Sequence, residues 1–552
     1  MKYIFVSGGV LSGLGKGVTA ASLGVTLKAR GYKVTNIKCE NYLNLDSGNI
    51  NPIEHGDVFL CEDGTEADLD LGTYERFLGQ EVSLKNYTTI GQIYQTVITD
   101  TCNLKYKGAT VDAIPYVPDE VIRRIKKAAQ GYDIILIELG GCAGEYQNII
   151  YYEANRILKL QEPDNVIHVH VTYFPKPDHI NELKSKPTQL SVKQLNGMGI
   201  QPDFIVGRAA IDIDDKRKEK VAYYCNLSKD DIISNPDCPS IYQLPLIFET
   251  QNFASKALQK LKLKDRPADL DAWKKMFKKF SSIKDKTVKI GIIAKYLSSG
   301  DYELKDSYAS LLEALEHAVT FAGVNLDLHF IKSEELEKND PAAWDSLRAV
   351  DGIIVPIGWG KRGVEGKIQA IQYAREHRVP YLGLCYGMQL AVIEFARHVA
   401  GLKDANTTEV DLETPFPVVH DIPMEDKRQI IKGEGASMRL GAYDAVLQKG
   451  TLAYQIYDKH HAFVDQKSGL VSERHRHRYE VNNSFREILS QHGLIFSGNS
   501  PDNFFVEMIE LPKDMHPFFI ATQAHPEYKS RPLAPHPIFS EFIKAALQQS
   551  ST

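Results

Sequence analysis

Two short stretches of this 552-residue chain combine residue types and spacings suited to covalent and phosphoryl chemistry. The first reads Pro380-Tyr-Leu-Gly-Leu-Cys385-Tyr-Gly-Met-Gln389. An apolar run followed by Gly383-x-Cys385-x-Gly387 predicts a strand that turns sharply into a helix, the cysteine version of a nucleophile elbow. A thiol at a helix N-terminus is favoured as the nucleophilic thiolate. A lone cysteine is by default a packing residue, but the flanking glycines reverse that expectation. Such a nucleophile needs a base and a group that orients the base. The apolar run Phe518–Thr522 leads into Gln523-Ala524-His525-Pro526-Glu527. This puts His525 at a strand end, able to reach Cys385, with Glu527 able to hold the imidazole.

The second stretch is Ser7-Gly8-Gly9-Val10-Leu11-Ser12-Gly13-Leu14-Gly15-Lys16-Gly17-Val18-Thr19. It predicts a strand over Tyr3–Val6, a glycine-rich turn, and a helix from Val18 to about Ala29. Phosphate suits such a site, because free N–H groups and the helix dipole point at it. Ser12, Gly13, Leu14, Gly15, Lys16, Gly17 and Val18 are the candidate ATP loop, with Lys16 supplying charge to the β- and γ-phosphates. Gly17 stands where a magnesium-binding hydroxyl is expected. Magnesium therefore needs other ligands. The stretch Cys61–Asp70 offers five carboxylates, and Glu138 ends the strand-like run YDIILIE, where α/β sheets gather ligands. Most of the acidic run reads equally as a solvated loop, and the run alone does not single out Asp70. Arg474–Arg478 (RHRHR) is either a solvated basic face or phosphate patch, or the source of an arginine for a substrate α-carboxylate.

These residues must be positioned by alternating strands and helices. Further strands are expected at Lys33–Ile37, Tyr132–Glu138, Val288–Ile293, Asp351–Val355, Pro380–Leu384 and Phe518–Thr522, with helical patterns between them. That argues for two α/β domains with mostly parallel sheets. Trp273, Met276, Phe277 and Phe280 fall at helical spacing in a Lys- and Asp-rich stretch. The expected organisation is a first domain over 1–264, a charged helical linker over 265–287, and a second domain over 288–552. The linker helix reads equally as the last helix of the first domain. Hydrophobic residues make up 43% and charged residues 25%, which excludes a disordered or fibrous chain. The net charge of −6 supplies no basic field for nucleic acid. No apolar run reaches the roughly 18 residues of a membrane span. Seven cysteines without a C-x-x-C pair read as reduced thiols in a cytoplasmic protein.

GLCYGMQ with His525-Pro-Glu527 resembles the class I glutamine amidotransferases. SGGVLSGLGKG, EDGTEADLDLGTYERF, KSKPTQLSVKQL and ERHRHRYEVNN resemble the CTP synthase family, and the likeness runs from Met1 to about residue 545. The resemblance implies a P-loop-type parallel-sheet synthase domain followed by an α/β class I amidotransferase domain. The first would phosphorylate the C4 oxygen of UTP with ATP. The second would release ammonia from glutamine through a glutamyl thioester, and the ammonia would pass through an internal tunnel. It also implies roles for single residues. Lys16 and Lys38 would stabilise the transferring phosphoryl group, and Asp70 and Glu138 would bind Mg2+. Ser12, Glu145, Gln147, Lys184, Lys186, Gln189 and Lys220 would contact UTP or the product CTP. Gly358, Gln389, Glu409 and Arg478 would hold glutamine, and His55 would stand at the tunnel entrance. The loop Gly433–Leu440 matches a lid linked to GTP activation. A homotetramer activated by GTP and inhibited by CTP follows from the same likeness, with filaments a further expectation, and no nucleic-acid or membrane partner.

Some positions depart from the family pattern. Pro356-Ile357-Gly358-Trp359-Gly360 replaces Pro-Gly-Gly-Phe-Gly, Lys38-Cys39-Glu40-Asn41-Tyr42 replaces K-L-D-P-Y, and the segment after Glu138 carries Cys142, Glu145 and Gln147 in a changed setting. These departures gather near the expected nucleotide pocket. They motivate one alternative, a paralogue that aminates a modified pyrimidine nucleotide. A second alternative, a regulatory or filament-forming homologue with impaired catalysis, rests on Ile357 alone.

Overall fold

The computed structural model describes residues 1–48, 50, 56–282, 284–295, 298–299, 302–303, 308–358, 360–422 and 438–549. The chain forms two compact units that are not two consecutive stretches. One is Met1–Asn49 with Ala67–Phe277, and the other is Ile50–Glu66 with Lys278–Thr552.

The first unit is built on β1 (Lys2–Gly8), α1 (Lys16–Lys28), β2 (Val34–Glu40), α2 (Leu69–Leu78), β3 (Tyr87–Thr89), β4 (Ile134–Leu139), β5 (Val166–Tyr173), α3 (Lys186–Gly197), β6 (Phe204–Ala209), α4 (Asp215–Cys225) and β7 (Ile232–Pro236). The seven strands run parallel in the order β3-β2-β4-β1-β5-β6-β7. Helices cover both faces, so the strands are continuous apolar runs and not alternating ones. Strand periodicity still sorts the side chains. Tyr3 and Phe5 enter one core with Ile37, Ile125 and Tyr152, while Ile4 and Val6 enter the other with Leu23, Leu136 and Phe248. The first helix begins at Lys16, two residues before the expected Val18, directly after Gly15 in the left-handed region at φ 77°. Its N-terminus has no side-chain cap. The amphipathic pattern near 273 becomes α5 (Asp271–Ser281), with Trp273 and Met276 buried. Trp273 packs on Phe77 and Tyr242, at ring separations of 5.5 and 6.0 Å.

The second unit contains β8 (Thr287–Ala294), β9 (Asn325–Lys332), β10 (Gly352–Val355), α6 (Val364–Glu376), β11 (Tyr381–Leu384), α7 (Tyr386–His398), β12 (Arg439–Leu447), β13 (Leu470–His477), β14 (Ile495–Asn499), β15 (Val506–Glu510) and β16 (Phe519–Thr522). Their order is β9-β8-β10-β11-β16-β15-β14-β12-β13. The first five are parallel and the remaining pairings are antiparallel. β11 and β16 lie side by side in the middle and end at the same level, with Leu384 opposite Thr522. Whatever follows these two strands must therefore meet at their C-terminal ends, where parallel sheets hold ligands.

Candidate active sites

In the first unit, Lys38 near the end of β2 lies opposite Glu138 near the end of β4. The Lys38 ammonium is buried and donates to Glu138 Oε1 (2.7 Å) and to Asp70, with Glu40 Oε1 at 3.3 Å. Burial opposes this charge, but Asp70, Glu138 and Glu40 outweigh it and hold the Lys38 pKa well above its ordinary value. Burial also works against Asp70, yet Lys38 keeps its carboxyl below the usual range. Glu138, buried beside Asp70, is raised, and it accepts from the Tyr74 hydroxyl. Asp70 sits in the first turn of α2, which Asp68 caps by accepting from the Asp70 N–H (2.9 Å).

Gly17 explains its own departure from the usual phosphate-loop pattern. A Cβ there would stand 2.3 Å from Asp70 Oδ1 and 3.2 Å from Glu138 Oε2. The hydroxyl expected at this position is replaced by two carboxylates, which need the space a side chain would fill. Three carboxylates beside the Lys38 and Lys16 ammonium groups leave surplus negative charge at the start of α1. That donor set suits magnesium, which takes one or two carboxylates and completes its shell with phosphate oxygens. Lys16 is buried, its stem lying against Gly8, while Ser12 and Gly13 are exposed at the tip of the loop.

A cavity of about 280 Å³ lies between the start of α3 and α4. Lys184, Lys186, Gln189 and Lys220 all line it, joined by Lys216, Arg217 and Tyr224. Such a density of cations fits a polyphosphate. Glu145 and Gln147 are not part of its lining. Glu145 turns back to accept from the Cys142 N–H (2.9 Å), and Gln147 is exposed.

In the second unit, Cys385 occupies the turn between β11 and α7 with φ 52° and ψ −100°, a conformation an L-residue adopts only under constraint. The constraint is visible in its neighbour. A Cβ on Gly387 would stand 2.0 Å from the Val355 carbonyl oxygen, so the helix can start here only with glycine. The Cys385 N–H donates to Thr522 O (2.8 Å), tying the elbow to β16. Three residues after β16 ends, the fully buried His525 donates from Nδ1 to Glu527 Oε1 (2.7 Å). Its Nε2 is buried and, among the described residues, meets no acceptor at ordinary hydrogen-bond geometry, with the Cys385 thiol close enough to act on the ring. Burial opposes protonation of the ring, but Glu527 and then Cys385 outweigh it and push the His525 pKa up to about 10. The thiol also contacts Arg476 O and Gln523 Nε2, each at 3.6 Å.

The loop facing the elbow is Pro356–Gly360. Ile357 lies outside the left-handed region, so the turn accepts its β-branched side chain without strain. Glu409 accepts from the Gly360 N–H (2.7 Å), and Lys295 donates to Gly360 O (2.7 Å). Glu409 is raised by burial against the pull of Gly360, Lys295 and Arg478, which places Arg478 in its surroundings. Gln389 is buried in α7 and donates to Tyr479 O (2.8 Å) and Gln523 Oε1 (3.2 Å). His55, Trp359 and Gly433–Ser437 of the expected lid lie outside the described residues.

The RHRHR stretch is not a solvated face or a phosphate patch. Arg474, His475 and His477 are buried in β13, and of the five residues only Arg478 is exposed. Arg474 donates to Leu60 O (2.9 Å), and Arg476 pairs with Glu66 (2.7 Å). Sequence reasoning also misses Asp57, whose carboxyl is pushed to about 7 by burial and by Glu527. It misses Lys295, Lys367, Lys216 and Arg217 as well. The contact of Gln523 with the thiol is missed too, but Gln523 stands two positions before His525 and so has a local signal that the other missed residues lack.

A strained elbow cysteine beside a His–Glu pair, on one α/β sheet, defines a glutamine amidotransferase. A glycine loop facing clustered carboxylates and lysines, on another, defines a phosphate-handling synthase. Comparison with known proteins agrees. The model described as CTP synthase N-terminus matches residues 2–263, and that described as glutamine amidotransferase class-I matches residues 303–545. A CTP synthase of Pyrococcus furiosus is 46% identical over 547 residues, 99% of this chain and 98% of that protein. One from Methanocaldococcus jannaschii is 46% identical over 552 residues, with the same coverage. The solved glutaminase domain of Trypanosoma brucei CTPS with bound acivicin is 39% identical, covers 47% of this chain and 94% of that one, and has a TM-score of 0.42. The chain belongs to the CTP synthase family.

Proposed function

We propose that this chain converts UTP to CTP with ATP and glutamine, through a 4-phosphorylated UTP and ammonia released at Cys385. The observation that carries the reading is one chain holding both the Cys385–His525–Glu527 arrangement and the Lys38–Asp70–Glu138 cluster at the start of a phosphate-loop helix. A pyrimidine carbonyl oxygen is a poor leaving group. Transfer of the ATP γ-phosphoryl group to O4 turns it into phosphate, which leaves after ammonia adds at C4. Lys16 and Lys38 would balance charge on the transferring group. Asp70 and Glu138 would hold magnesium, which when bound neutralises charge on the phosphates. Lys184, Lys186, Gln189 and Lys220 would hold the UTP triphosphate, with Ser12, Glu145 and Gln147 toward the rest of the nucleotide.

At the second site, Cys385 Sγ attacks the glutamine amide carbon. N–H groups of the Pro356–Gly360 loop receive the oxyanion. His525, which carries its proton at neutral pH, passes it to the departing ammonia. Water then cleaves the thioester, with the neutral imidazole as base. Glu409 and Arg478 would hold the glutamine amine and carboxylate, beside Gly358 and Gln389. A tunnel with His55 at its entrance, GTP activation, CTP inhibition and a homotetramer are part of the proposal and rest on family resemblance.

The test is to incubate the protein with ATP, magnesium, GTP, UTP and amide-15N glutamine and weigh the nucleotide product. We expect 15N-CTP, lost in Cys385→Ala but restored there as unlabelled CTP by ammonium. Glutamate without CTP from either nitrogen source would overturn UTP as the substrate and favour the modified-pyrimidine alternative.

A further inference from the structure

Lys367 belongs to α6, and nothing in its local sequence marks it as a functional residue. Its side chain is completely buried, and among the described residues its ammonium makes one hydrogen bond, to the Pro356 carbonyl (3.1 Å), and no ion pair. A buried cation without a counter-charge costs stability, and such groups persist where something uses them. The surroundings show what could use it. The ammonium lies 5.7 Å from the ring of Tyr386, the residue after the nucleophile. A Cβ on Gly358 would stand 3.1 Å from Nζ, so the cation lies directly behind the loop that faces Cys385. Among the described residues, neither the Ile357 N–H nor the Gly358 N–H is bonded. In a trans peptide the C=O and the next N–H point in opposite directions. Anchoring Pro356 O on Lys367 therefore turns the Ile357 N–H away from the helix.

We propose that Lys367 is a positioning residue for glutamine hydrolysis, whose ammonium orients the Pro356–Gly358 peptides as oxyanion donors and supplies the positive charge behind them. This rests on the proposed glutaminase reaction and deepens it. The ammonium's one ground-state partner is the neutral Pro356 carbonyl and not a carboxylate, so its field is available to the charge that develops in the transition state. Burial first, and then Lys295, lower its pKa to about 7, while Glu334 and Cys385 act in the opposite direction. Negative charge on the thiol or the oxyanion therefore favours the ammonium form, and deprotonation as pH rises through about 7 removes it.

The test compares Lys367→Met and Lys367→Arg in the full chain. Methionine is close in shape and apolar, so Lys367→Met is expected to raise the melting temperature. The same change should lower glutamine-dependent kcat by about 10- to 100-fold, less than the roughly 10²- to 10³-fold cost of deleting an oxyanion donor because the N–H groups themselves remain, with KM for glutamine nearly unchanged. Ammonia-dependent CTP synthesis should keep its wild-type rate. Lys367→Arg should recover part of kcat and move the alkaline limb of its pH profile upward, because a guanidinium does not titrate there. Wild-type kcat in Lys367→Met, or a drop confined to KM, overturns the proposal. So does loss of stability together with both activities, which marks the lysine as merely structural. If the wild-type chain makes no CTP even from ammonia, the proposed substrate is wrong, while glutamate release still tests Lys367.

Discussion

At the scale of single residues, the second site is governed by one proton. His525 is fully buried, which by itself would keep the ring neutral, yet Glu527 and Cys385 bring its pKa up to about 10. The folded value lies above the ordinary 6.5 or so, so the pair's contribution to stability is complete below about pH 6.5 and is lost as pH rises toward 10. The same proton is the one delivered to departing ammonia. Glu527→Gln should therefore let the ring deprotonate at lower pH. Glutamine-dependent kcat should fall by about 10²-fold or more, with its alkaline limb displaced toward neutrality, while ammonia-dependent synthesis is untouched. A kcat–pH profile in which Glu527→Gln leaves the limb unmoved even in the Lys367→Arg background, where the lysine no longer titrates, would show that Glu527 does not set the ring's charge.

At the scale of elements, the loop from β1 to α1 depends on what α2 brings beside it. Judged as a helix position alone, Gly17→Ala should stabilise by up to about 1 kcal/mol. The new methyl would instead meet the Asp70 carboxylate at 2.3 Å. We expect a destabilisation of about 1–3 kcal/mol. CTP synthesis should be lost with both glutamine and ammonia, because the carboxylates that face the loop are displaced. Glutamine hydrolysis should persist. Calorimetry and the two nitrogen-source assays decide the sign: a more stable, fully active Gly17→Ala chain would mean that Asp70 does not work at this spot.

At the scale of the whole molecule, the second unit is completed by a segment from far earlier in the chain. Within Ile50–Glu66, Val58 O accepts from the Tyr528 hydroxyl (2.9 Å), Leu60 O from Arg474 (2.9 Å), and Glu66 pairs with Arg476 (2.7 Å). Tyr528 follows Glu527 directly, and the Arg474 carbonyl accepts from the His525 N–H (2.7 Å). A chain beginning at residue 278 would leave these groups without their partners. It should release glutamate at least tenfold more slowly than the full protein and melt at a lower temperature. Equal rates from the two would show that the segment has no part in the glutaminase site.

Some of this was determined by sequence alone, because the determinants are close together along the chain. The elbow at Cys385, the His525-Pro526-Glu527 turn and the glycine loop before Lys16 each need only local spacing, and the alternation of apolar runs with helical patterns was enough for two α/β units. The helix starts two residues before its apolar pattern does, because Gly15 ends the loop sooner. The RHRHR stretch reads as surface in sequence because charge usually is. In the fold Arg474 and Arg476 turn inward to a carbonyl and a carboxylate more than 400 residues away, and only Arg478 is exposed. Lys38 gathers Asp70 and Glu138 from 32 and 100 residues away, and Lys367 looks like any helix lysine until Pro356 and Tyr386 close over it. Local spacing sets which elements form. Only tertiary packing decides which charges lose their water, and that loss gives these groups their chemistry.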